Sequence, residues 1–79
     1  MALITEMKKI TKERHTVHGP VECAYSLFTG PDGKPYLQLE TFGSNERKLT
    51  GKTSQAIQLN EASAAELKKL IEQTFPSLR

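Results

Sequence analysis

Between His15 and Leu27 the apolar side chains fall on alternate positions, Val17, Val21, Cys23, Tyr25 and Leu27, while Glu22, Ala24 and Ser26 lie between them. A repeat of two is the period of a half-buried strand, and Gly19 with Pro20 marks a bulge or break near its start. The next stretch, Thr29–Pro35 (TGPDGKP), reads as a hairpin turn. Pro31 presets φ, Asp32 can bond its own backbone, and Gly33 is free to take positive φ. The chain then returns as PYLQLETFG, with Leu37, Leu39 and Thr41 on one face and Tyr36, Gln38, Glu40 and Phe42 on the other. Gly43 and Ser44 end that strand. A polar run carrying Arg47, Lys48 and Lys52 follows, and then SQAIQL, which sets Ile57 and Leu59 on one face of a short third strand.

From Asn60 the period changes to that of a helix. Ala64, Leu67, Leu70, Ile71, Thr74 and Phe75 follow i, i+3, i+4, i+7 spacing, and Glu66, Lys68, Lys69, Glu72 and Gln73 point elsewhere. Asn60 is a favourable N-cap, the pair Ser63 and Glu66 has capping-box spacing, and Pro76 stops the helix. At the other end of the chain Leu3, Met7, Ile10 and Arg14 recur at helical spacing, but Thr5, Thr11 and Thr16 interrupt them with β-branched residues. Residues 1–13 therefore read as a basic arm and residues 14–79 as one domain. The expected class is α+β: a small antiparallel sheet of three to four strands followed by one C-terminal helix packed on one face, with the other face open.

With 79 residues the chain makes a single small core, and pairing of two copies is a natural way for it to gain buried area. A hydrophobic fraction of 37% and a charged fraction of 25% are those of a globular domain. The net charge of +2 permits a polyanionic partner without demanding one. Its distribution is more telling, since Lys8, Lys9, Lys12 and Arg14 cluster in the arm and Arg47, Lys48 and Lys52 in the polar run. Cys23 is the only cysteine, so no intramolecular disulfide forms and a reducing, cytoplasmic setting is expected. No apolar run reaches the roughly 20 residues of a membrane span, and MALITEMKKITKERH lacks the apolar centre of a signal peptide.

Catalytic and metal chemistry find little to work with. His15, His18 and Cys23 do not complete a tetrahedral zinc site, and on a strand the two histidines point apart. Cys23 alternates with Val21 and Tyr25 and is expected to be a buried structural thiol. Glu22 and Glu40 are expected on the open face, where solubility explains them better than acid–base chemistry. GSNERKLTGK has a Gly-Lys-Thr tail like that of a phosphate loop, but the first glycine is displaced and the lysine precedes a strand rather than a helix. No enzyme activity and no cofactor are expected.

Single strands of nucleic acid are held by positive charge plus aromatic faces on which bases stack. The open face offers Phe28, Tyr36 and Phe42, with Gln38 among them as a hydrogen-bonder to base edges, and the run supplies the cations. The same aromatics have the spacing to pair across the hairpin instead.

Taken together, PYLQLETF, KLTGKTSQAIQL and NEASAAELKKLIEQTF resemble, in that order, three elements of the positive-cofactor-four family of single-stranded-DNA-binding transcriptional coactivators and its small bacterial relatives. Those elements are an apolar strand ending in an aromatic, a Pro-Gly-Lys-Lys-Gly-Ile-Ser-Leu segment and a C-terminal helix. The resemblance covers Val21 to Phe75. It implies a homodimer, paired through helices and strands, whose sheet surfaces cradle single-stranded nucleic acid. Gly51 and Lys52 match the family motif, Phe42 matches the terminal aromatic, and Arg47 and Lys48 lie in the equivalent loop. Two features depart from it: Glu40 stands where the family has arginine, and Thr53, Ser54, Gln55 and Ala56 lengthen the loop before Ile57. The expected binding set is thus Tyr36, Gln38, Phe42, Arg47, Lys48, Gly51 and Lys52. The alternative is a small protein-interaction module or an inhibitor of a larger enzyme such as a nuclease, which the acids on the open face would suit equally.

Overall fold

The computed structural model describes residues 1–42 and 53–79. Its elements are β1 (Ala2–Ile4), β2 (Cys23–Thr29), β3 (Pro35–Phe42), β4 (Thr53–Leu59), α1 (Glu61–Thr74) and a terminal 3-10 turn (Pro76–Leu78). The strands form one sheet in the order β1-β4-β3-β2. β2, β3 and β4 are antiparallel neighbours, and β1 joins parallel to β4. A four-stranded mixed sheet followed by one helix is the α+β class expected, with a correction at the start of the chain: residues 2–4 of the basic arm are a strand, and they make the sheet mixed. A parallel edge of three residues pairs with a segment more than fifty positions away, so no local pattern announces it.

The hairpin forms where the turn chemistry places it. Pro31 and Asp32 occupy its centre, the Gly33 N–H donates to the Gly30 carbonyl at 2.9 Å, and the Gly30 N–H donates to the Lys34 carbonyl at 2.9 Å. Gly33 has φ of 78°, the left-handed conformation that glycine takes without strain. β2 begins later than the alternation predicts. Residues 15–22 lie outside regular structure, and the ladder starts three residues beyond Pro20, which has no N–H to give it.

The helix is capped by Asn60 rather than Ser63. The Ser63 N–H donates to Asn60 Oδ1 at 2.9 Å and the Asn60 N–H donates to Ser63 Oγ at 3.0 Å, a capping box in which Ser63, not Glu66, is the reciprocal partner. This contact leaves Ser63 fully buried. At the far end the Phe75 N–H closes on the Ile71 carbonyl and Pro76 prevents continuation.

Side chains in register define the two faces. Cys23, Tyr25 and Leu27 of β2, Leu37, Leu39 and Thr41 of β3, and Ile57 and Leu59 of β4 share one. α1 meets the sheet chiefly at β4, so Leu59 is buried and Leu37 and Leu39 half-buried. Farther out the face is bare: Tyr25 and Leu27 are 72% and 73% exposed. Leu70, Ile71 and Phe75 of the helix stripe are exposed too. Cys23 likewise is exposed, correcting the expectation of a buried thiol. Alternation tells which side of a strand is apolar, and it does not tell whether anything covers that side.

Candidate nucleic-acid interface

The second face carries Ala24, Ser26 and Phe28 on β2, opposite Glu40, Gln38 and Tyr36 on β3, with Ala56 and Gln58 opposite Glu40 and Gln38 on β4. Leu3 of β1 sits beside Gln58 in register. Two arrangements organise this surface, one aromatic and one polar.

The aromatic one is Phe28 stacked on Tyr36 across the hairpin, ring centroids 5.5 Å apart and planes 21° from parallel. Cross-strand pairing therefore holds for these two. The Tyr36 hydroxyl donates to Asp32 Oδ2, and Asp32 Oδ1 accepts the Lys34 N–H at 3.1 Å. These bonds favour the ionised carboxylate, first through Tyr36 and then through Lys34, and lower the Asp32 pKa below its ordinary 3.8. The same bond to Asp32, with some loss of hydration, raises Tyr36 above 10.0. Gly30 makes room for this packing: a Cβ there would lie 2.7 Å from the Tyr36 ring.

The polar one is a ladder of side-chain amides. Gln58 Nε2 donates to Gln38 Oε1 at 2.8 Å, and Gln38 Nε2 donates to Glu40 Oε1 at 2.8 Å. All three side chains are half-buried, and each fixes the orientation of the next.

Of the residues singled out in the sequence, Tyr36 and Gln38 lie together here. Phe42 does not present a ring to solvent, being only 5% exposed. The β3–β4 register shifts between Thr41 and Phe42, with Ser54 skipped, and a bulge of this kind adds twist that re-aims the neighbouring side chain. Arg47, Lys48, Gly51 and Lys52 lie outside the described residues. Gln58 is the addition that the structure makes. Its signal is present in SQAIQL, where it falls opposite the apolar Ile57 and Leu59, but only the β3–β4 register brings it to Gln38.

On the apolar side, Leu27, Leu37, Leu59 and Ala64 border an open groove of about 420 Å³ between the hairpin end and the first turn of α1. Among the described residues no three His, Cys, Asp or Glu side chains gather as a metal site, and no helix is long and apolar enough to cross a membrane. Compared with known proteins, the chain matches no family model, no curated protein and no solved structure.

Proposed function

We propose that the chain is a non-enzymatic binder of single-stranded nucleic acid, DNA favoured, that acts as a homodimer in DNA metabolism or transcription. The observation that carries this reading is the Phe28–Tyr36 stack beside the Gln58–Gln38–Glu40 ladder on the second face of the sheet. Aromatic surface supplies sequence-tolerant stacking, worth about 1–3 kcal/mol per base, and side-chain amides can donate to and accept from base edges. Phosphate attraction comes from Arg47, Lys48 and Lys52, which the sequence places between the ends of β3 and β4 together with Gly51. The resemblance to the positive-cofactor-four family points the same way.

Pairing of two copies is supported by area. The chain exposes 7170 Å², whereas a compact monomer of its mass exposes about 4,800 Å². Part of that excess belongs to residues 5–22, which lie outside regular structure and are nearly all exposed. Apolar side chains are exposed as well: Tyr25, Leu27 and Ile57 on the sheet, Leu70, Ile71 and Phe75 on and just after the helix. Standard interfaces take about 800 Å² from each partner. Covering these two stripes with those of a second copy leaves the Tyr36 face free for a ligand.

The same bare apolar face favours a second reading, a protein-interaction module. Titration of labelled single-stranded and duplex DNA at low and moderate salt separates the two, because a nucleic-acid binder holds the single strand with an affinity that falls as salt rises. Retention of a protein partner after nuclease treatment, without oligonucleotide binding, would favour the module.

A further inference from the structure

Glu40 is an unexpected residue on a surface meant for a polyanion, because its carboxylate opposes every phosphate that approaches. The ladder changes what that carboxylate offers. Gln38 holds Oε1 by a 2.8 Å bond and is itself held by Gln58, so the carboxylate is oriented on the half-buried face rather than swinging in solvent. No described residue donates to its Oε2, and no described cation pairs with it. Its neighbours in register, Ala24 and Ala56, carry a single methyl group each. Four steps along the strand, about 13 Å, separate it from Tyr36. That distance gives room for one base on the aromatic pair and a splayed neighbour over the carboxylate.

A carboxylate only accepts hydrogen bonds. Among the bases, guanine alone carries two donors side by side on its Watson–Crick edge, N1–H and N2–H. Adenine and cytosine offer one amino group beside a ring nitrogen whose lone pair faces the carboxylate. Thymine and uracil offer one N–H flanked by two carbonyls. Only guanine can therefore meet both carboxylate oxygens with donors, and only it turns the electrostatic disadvantage of Glu40 into recognition.

We propose that Glu40, oriented by Gln38 and Gln58, makes this face select guanine in single strands, an inference that rests on the nucleic-acid reading above. Glu40 is a specificity-determining residue, and Gln38 and Gln58 are its positioning residues.

The test is fluorescence anisotropy of the full chain with labelled oligonucleotides of about twelve nucleotides, one all thymine and others in which guanine, inosine, cytosine or adenine alternates with thymine. The guanine strand is expected to bind on the order of ten-fold more tightly than the thymine strand, the discrimination that a good bidentate contact gives. Inosine, which lacks the N2 amino group, should lose most of that gain without any change to the protein. Glu40→Gln should erase the preference while tightening binding to the thymine strand, with circular dichroism unchanged. Equal affinity of the unaltered chain for all strands, or a preference that survives Glu40→Gln, overturns the assignment and leaves single-strand binding standing. Absence of binding to every strand overturns both.

Discussion

Tyr36 ties the turn to the open face, with its ring on Phe28 and its hydroxyl on Asp32. Because Asp32 titrates below its ordinary value, its contribution to stability is present above the unfolded pKa and is lost as pH falls through the folded one. Tyr36 titrates above its ordinary value, so its contribution is present below 10.0 and is lost as pH rises through the folded pKa. The bond thus stands across the neutral range and weakens at both extremes. Both groups are exposed, so the effect on overall stability is small and the sharper readout is spectroscopic. Asp32→Asn should move the tyrosinate absorbance midpoint of Tyr36 downward; an unchanged midpoint would mean that the hydroxyl does not bond to Asp32 in solution. The face assignment of Tyr36 and Gln38 was legible from alternation alone, since β3 runs unbroken through them. Phe42 was not, because a bulge at the end of the ladder depends on how β4 registers against β3.

Elements with local signals were the readable ones. Proline, aspartate and glycine at their proper turn positions marked the hairpin, and Asn60 with the apolar stripe marked the helix. Asn60→Ala removes an acceptor for the Ser63 N–H and breaks the capping box, and should lower the midpoint of thermal unfolding by an amount equivalent to about 1 kcal/mol. Asn60→Asp, which keeps the acceptor, should restore it; equal loss in both variants would show that the box is not what holds the first turn. β1 was unreadable because its partner among the described residues, β4, is remote and its three residues carry no period. The extent of cover on the apolar face was unreadable for a related reason. The helix stripe and the strand stripe were each evident, but their meeting is tertiary, and α1 joins the sheet near Leu59 without reaching Tyr25 and Leu27.

The whole molecule is open, with a radius of gyration of 14.6 Å where a compact chain of this length has about 12 Å. Two uncovered apolar stripes on so small a core are what the proposed pairing of copies would cover. Sedimentation should therefore find twice the chain mass of 8.8 kDa at micromolar concentration. Leu27→Asp combined with Ile71→Asp should shift the population to monomer, because each places a charge on a surface that pairing would bury. An unaltered chain that sediments as a monomer at every concentration would refute the pairing. Whether the aromatic face and the basic run together hold a single strand is decided by anisotropy titration with single-stranded DNA at two salt concentrations. Binding at micromolar protein is expected to weaken as salt rises, to fall about ten-fold or more in Tyr36→Ala, and to disappear when Arg47, Lys48 and Lys52 are all changed to glutamate with the fold intact. No binding by the unaltered chain at low salt, or binding undiminished in the triple variant, would contradict it.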